Sequence, residues 1–205
     1  MPASPLQYLL LPLAFLVGAI PFGFLAGKRR GIDLRESGSK SIGATNTLRL
    51  LGPRAGVTVL VLDTVKGLLP VLAAKALHFE GPWVVAVGLC AVLGHIYSPF
   101  VRFKGGKGVA TSLGVLIALS PAVAGGSLIV FFLTVWLTRW VSLGSILAAI
   151  AQAILFFVLE PNQRAFQIFG LITAAFVVYR HRANIVRLRN GVEPRLTFRK
   201  SPQGE

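Results

Sequence analysis

Three short polar stretches hold the side chains of this sequence that can do chemistry. The first reads Gly38-Ser39-Lys40-Ser41-Ile42-Gly43-Ala44-Thr45-Asn46 and is followed by Arg49. Glycines let backbone N–H groups approach an anion closely, hydroxyls and the amide add hydrogen bonds, and Arg49 can grip a phosphate with two parallel bonds. A solvated turn ahead of a helix is the plainer reading of the same residues. The density of polar groups between apolar runs favours an anion cradle.

The second stretch runs from Gly94 to Ser112, where Gly105, Gly106, Lys107 and Gly108 lead into Val109-Ala110-Thr111-Ser112. A glycine loop opening a helix presents unpaired N–H groups and the positive end of the helix dipole, and Thr111 and Ser112 add donors in the first turn. It is not a nucleotide P-loop. Val101 stands where that motif needs its first glycine, and Gly108 where it needs Ser or Thr. The third stretch is Tyr179-Arg180-His181-Arg182-Ala183-Asn184, then Arg187. His181 and Asn184 share one helix face; an interfacial histidine among snorkelling arginines is an open rival reading. His95 reads as structural, holding the loop that follows it. Asp63 and Lys66 also share a face and are read as a pair, because an unpaired charge inside a membrane is expensive. The single cysteine, Cys90, excludes an intrachain disulfide and a cysteine cluster. With no His-Glu-x-x-His and no carboxylate pair, no metal or other cofactor is expected.

These stretches must be positioned by elements that lipid can solvate. Of the 205 residues 54% are hydrophobic and only 14% charged, too few to cover a soluble domain of this size. The formal charge of +14 alternates with membrane-length runs, which points to anionic lipid or anionic substrates and not to nucleic acid. Seven apolar segments can be drawn, 6–26, 55–77, 82–98, 107–120, 121–138, 141–160 and 164–180. The first has no cation before it and Lys28, Arg29 and Arg30 after it, the reverse of a cleaved signal peptide.

Residues 107–138 could form one helix or two, and charge decides. Seven crossings put the loops 27–54 and 99–106, Arg139 and the basic tail with Arg180, Arg182, Arg187, Arg189, Arg195, Arg199 and Lys200 on one side. Six would move Arg139 and the tail outside, against the positive-inside rule. The expected fold is therefore an all-α integral membrane protein of one polytopic domain, with seven transmembrane helices, N-terminus outside and C-terminus cytoplasmic. Its fourth helix is short and starts in the glycine-rich loop, at a depth where irregular backbone must line a polar cavity. Residues 191–205 read as a frayed cytoplasmic tail.

At these motifs the chain resembles the PlsY family, the bacterial acyl-phosphate:glycerol-3-phosphate acyltransferases. The likeness covers nearly the whole length and is most specific in Phe103–Thr111 and Arg180–Asn184. It implies that Ser39 and Arg49 serve glycerol 3-phosphate, and that Thr45 and Asn46, in the motif with Gly43, lie near the phosphate of the acyl donor. It further implies that Gly105, Gly106, Lys107 and Gly108 cradle phosphate, that Ser39, His181 and Asn184 are catalytic, and that Glu193 is structural. Two departures stand out. Lys40 and Ser41 replace the usual Gly and Asn of the first motif, and Pro99 lies one place late in the second.

The implied reaction transfers a fatty acyl group from acyl phosphate to the 1-hydroxyl of sn-glycerol 3-phosphate in the bacterial inner membrane, giving lysophosphatidate and phosphate. No cofactor and no obligate protein partner are implied. The residues suit this reaction independently: two anion sites lie on one face, and a fatty substrate asks for a lateral apolar groove. A small lipid or phosphate-ester transporter is the alternative, but polar side chains would then continue through the membrane. A scaffold for lipid-synthesis enzymes would leave His181, Asn184 and both glycine loops unused.

Overall fold

The structure, a computed structural model, describes residues 4–196, so Arg199 and Lys200 lie outside the described residues. Helices α1 (Pro5–Ala19), α2 (Phe22–Lys28), α3 (Ala44–Leu51), α4 (Pro53–Ala76) and α5 (Pro82–Ile96) lead to a 3₁₀ turn at Pro99–Val101. Helices α6 (Val109–Leu119), α7 (Pro121–Thr138), α8 (Val141–Leu159), α9 (Arg164–Arg180) and α10 (Arg182–Arg189) follow, and no strand occurs among the described residues. Pro5, Pro53, Pro82 and Pro121 each stand in the first turn of a helix, where a missing N–H leaves nothing unpaired.

Five segments are long and apolar enough to cross a membrane: 5–28, 53–76, 82–101, 121–138 and 141–159. The other two of the seven expected segments are shorter, α6 with 11 residues and α9 with 17. One helix across 107–138 is excluded. Ser120 ends α6 in extended backbone and caps α7, its hydroxyl accepting from the Val123 N–H at 3.4 Å. The fourth segment begins at Val109, so Lys107 belongs to the loop before it. At ~1.5 Å per residue, α6 spans about half of a ~30 Å hydrocarbon layer.

Small residues let the helices meet. A β-carbon on Gly18 of α1 would overlap the Ala91 carbonyl of α5, and one on Gly67 of α4 would overlap the Thr111 carbonyl of α6. The outer face of α7 carries Ile129, Phe132, Trp136 and Leu137, all exposed, as expected of a surface that lipid covers. Pro21 interrupts the first span between α1 and α2, and the carbonyls at that break find partners: Ser98 Oγ donates to Ala19 O at 2.6 Å, and Lys66 Nζ to Ile20 O at 2.6 Å. Lys66 also pairs with Asp63 at 2.7 Å, as their spacing predicts, and both are almost wholly buried.

Candidate active site

The starts of α3, α6 and α8 converge with the α9–α10 junction around a cavity of about 140 Å³. From the first stretch Ser39, Ser41, Gly43, Thr45, Asn46 and Arg49 line it; Lys107 and Gly108 come from the second, His181 and Asn184 from the third. Residues far apart in the chain thus share one chamber.

The first loop is organised by Asn46. Its amide oxygen accepts from the Ser39 N–H at 2.9 Å, and its Nδ2 faces the carbonyls of Leu34, Ser37 and Ser41 at 2.8–3.2 Å. Asn46 lines the cavity, and because the loop engages both ends of its amide it also fixes the shape of that wall. The wall keeps the Ser39, Ser41 and Thr45 side chains. Lys40 adopts φ +55°, a left-handed conformation that glycine takes without strain. The Ser41 hydroxyl accepts from the Gly43 N–H at 3.3 Å, a short turn of the kind asparagine also makes.

The second loop differs from expectation. The Gly105 and Gly106 N–H groups donate to the carbonyls of Ile96 and His95, both at 3.1 Å, and their own carbonyls accept from Arg180 Nη2 at 2.9 and 3.1 Å. Neither glycine lines the cavity. They pin the loop to the end of α5, and a β-carbon on Gly106 would overlap His95 Nε2. The loop is thus held by the His95 backbone carbonyl and packs against its imidazole, which also lines the cavity. Lys107, Gly108 and the first turn of α6 face the cavity instead. Gly108, at φ +86°, turns the chain so that the N–H groups of Val109 and Ala110 open the helix with no side-chain cap. Thr111 and Ser112 add nothing here: their hydroxyls are buried without partners, and Ser112 lies in the groove described below.

A chain of hydrogen bonds joins the third stretch to the second. Lys107 Nζ donates to Asn184 Oδ1 at 2.6 Å, and Asn184 Nδ2 donates to Glu193 Oε1 at 2.7 Å. The Glu193 carboxylate also accepts from Ser142 Oγ and from Arg187 Nε, each at 2.7 Å. Asn184 therefore bridges Lys107 to Glu193 within the site. The start of the expected frayed tail is fastened. Beyond buried Glu193, Arg49 Nη2 donates to Pro194 O at 3.1 Å, Trp140 Nε1 to Glu193 O at 3.2 Å, and the Leu196 N–H to Arg139 O at 2.7 Å.

His181 is buried, and its Nδ1 lies 2.7 Å from the Val177 carbonyl. A carbonyl only accepts, so Nδ1 carries the proton and Nε2 keeps its lone pair. Burial and the nearby Lys107 ammonium lower the imidazole to about 4, so it is neutral at pH 7. Burial likewise lowers Lys107 to about 8, although Glu193 works to raise it. For Glu193, burial pushes upward but the bonds from Ser142, Asn184 and Arg187 outweigh it and leave the carboxyl below its usual range. Arg49 is lowered by burial and stays cationic.

Asp63, His95, Ser142, Ser145 and Glu193 also line the cavity, outside the side chains read as chemical. The two serines had a faint signal, hydroxyls three residues apart on one face at the start of an apolar run. From this chamber an apolar groove of about 240 Å³ runs along α4, α6, α7 and α8, and Thr45, Leu60, Ala110, Phe131 and Ser145 line both spaces. Among the described residues no group of three or more His, Cys, Asp or Glu could hold a metal ion.

A family model described as glycerol-3-phosphate acyltransferase matches residues 8–191. The chain is 47% identical over 190 residues to the glycerol-3-phosphate acyltransferase of Geobacter sulfurreducens, covering 92% of this chain and 97% of that protein. It is 49% identical over 180 residues to that of Geotalea daltonii, covering 88% and 92%. The crystal structure of PlsY, an integral membrane glycerol 3-phosphate acyltransferase, in its glycerol 3-phosphate form superposes with a TM-score of 0.89 at 42% identity, covering 93% of this chain and 96% of that one. The lysophosphatidic acid form superposes at 0.86 and 40% identity, covering 94% and 96%.

Proposed function

The chain belongs to the glycerol-3-phosphate acyltransferase family, integral membrane enzymes of phospholipid synthesis, and we propose that its acyl donor is acyl phosphate. The acyl group passes to the 1-hydroxyl of sn-glycerol 3-phosphate, and the products are lysophosphatidate and phosphate. The observation that carries this reading is the continuity of a basic polar chamber with an apolar groove. A donor with a phosphate head and a fatty tail fits across both. Acyl-CoA would need room for adenine and pantetheine, and the loops around the chamber are short. A transporter reading gives way to family membership.

In this proposal the donor phosphate lies on the α6 N-terminus beside Lys107 and Thr45, while Arg49 and Ser39 hold the acceptor phosphate. Asn184 keeps Lys107 in place. The acceptor hydroxyl oxygen bonds to the acyl carbon, the carbon–oxygen bond to phosphate breaks, and the hydroxyl proton goes to the departing phosphate. The alternative proton acceptor, His181 Nε2, is the weaker base at about 4, because the group that departs is inorganic phosphate, at least as basic as the phosphate esters that ionise a second time at about 6. His181 then orients the hydroxyl. Ser39 helps hold the acceptor and forms no acyl-enzyme, because the donor is already activated.

The test is incubation of pure protein with acyl phosphate and glycerol 3-phosphate, scoring lysophosphatidate and free phosphate. Equal turnover with acyl-CoA would defeat the donor assignment. Radiolabelled acyl phosphate given alone should leave no label on denatured protein, and stoichiometric label on Ser39 would replace direct transfer with a serine nucleophile.

The seven crossings, the outside N-terminus and the cytoplasmic site belong to the same proposal, supported by the one-sided placement of the basic loops. A cysteine replacing exposed Lys104 in a Cys90→Ala background should react with an impermeant thiol reagent only from the inner side. Labelling from outside would overturn the orientation.

A further inference from the structure

The apolar groove has a polar floor. Gln152 lines it ten residues along α8 from Ser142, which lines the polar chamber. At 1.5 Å per residue that is ~15 Å, about the depth of one bilayer leaflet. The Gln152 side chain is almost wholly buried, and its Nε2 donates to Thr173 Oγ1 of α9 at 2.6 Å. The Thr173 hydroxyl donates in turn to Phe169 O at 2.7 Å, so the carboxamide is anchored from behind. The groove walls near it are apolar, with Leu116 on α6 and Ala149 on α8, and Ser127 turns its hydroxyl to the Val123 carbonyl of its own helix. A carboxamide at this depth is costly unless it is paired, which makes its position definite.

Resting on the acyl-phosphate reading above, we propose that the Gln152–Thr173 pair is the stop that sets acyl-chain length. A chain about one leaflet long fills the groove until its methyl end meets the carboxamide. A longer chain must press apolar carbon against a polar group or leave the groove sideways into lipid. Gln152 is then a specificity-determining residue that takes no part in the transfer itself.

Purified full-length protein, assayed with glycerol 3-phosphate and saturated acyl phosphates of increasing length, tests this. Gln152→Ala should raise kcat/KM for donors longer than the wild-type optimum, by roughly fourfold for each further methylene that the new space buries. It should leave shorter donors nearly unchanged. Thr173→Ala removes the anchor and should shift the profile the same way by less, which decides the matter if Gln152→Ala does not fold. Length profiles that coincide for the wild type and the folded variants would overturn the stop. Wild-type inactivity toward the whole acyl phosphate series would instead overturn the donor assignment.

Discussion

Lys107 should make the enzyme lose efficiency with its acyl donor as pH rises through about 8. Its side chain reaches the chamber wall from the loop before α6, and burial lowers the ammonium from 10.5 to about 8. One unit below that value about ten ammonium groups are charged for each neutral one, and one unit above the ratio inverts. The charged form is the one that binds phosphate strongly, since charge-assisted hydrogen bonds are roughly twice as strong as neutral ones. Between about pH 7 and about pH 9, kcat/KM for acyl phosphate should therefore fall about tenfold, with its midpoint near 8. Arg49 stays cationic over that range, His181 is already neutral at about 4, and substrate phosphates have ionised by about 6. Stability moves the other way. A lysine lowered by burial binds fewer protons folded than unfolded between about 8 and 10.5, so its contribution rises with pH there, and unfolding through this group does not explain the lost rate. Initial rates at low donor concentration across the range are the assay, with Lys107→Arg as the control that should flatten the profile whatever its absolute rate. A flat wild-type profile, or an equal fall in Lys107→Arg, would refute the reasoning.

Other perturbations report on other parts of the site. Arg49→Lys keeps charge but loses the planar fork, so KM for glycerol 3-phosphate should rise about tenfold with the donor KM little changed; an unchanged acceptor KM would mean that Arg49 only fastens Pro194. Gly106→Ala places a β-carbon against His95 Nε2, so the loop must shift. A destabilisation of about 1–3 kcal/mol, with lower kcat/KM for both substrates through a displaced Lys107, is expected from thermal melts and kinetics. A wild-type melt and rate would show that the loop yields freely. Lys40→Gly should raise stability by about 1 kcal/mol by relieving the left-handed backbone, without changing either KM; a lower melting temperature would refute that assignment.

Much of the frame was legible in one dimension. The side on which Arg139 and the basic tail must fall divided residues 107–138 into two helices, and the glycines before Val109 marked a short helix opening on a polar loop. The pairing of Asp63 with Lys66 followed from their spacing on one helix. Spacing reports which side chains share a face within an element. It is silent on which elements touch. The meeting of Lys107 with Asn184, the entry of Ser142 and Glu193 into that chain and the capture of residues 193–196 over the site arise only when helices pack side by side. That packing depends on close approaches such as Gly67 on Thr111, which have no periodic signature. The roles of Gly105, Gly106 and Asn46 were also tertiary matters. Residue type says that an N–H or an amide can bind an anion, whereas the packed chain decides whether His95, Ile96 or a neighbouring loop has already engaged it. The sequence alone determined a membrane-embedded helical chain with three polar stretches between its apolar runs; tertiary structure decided which of their atoms face the chamber, because hydrogen-bonding capacity is local while its satisfaction is not.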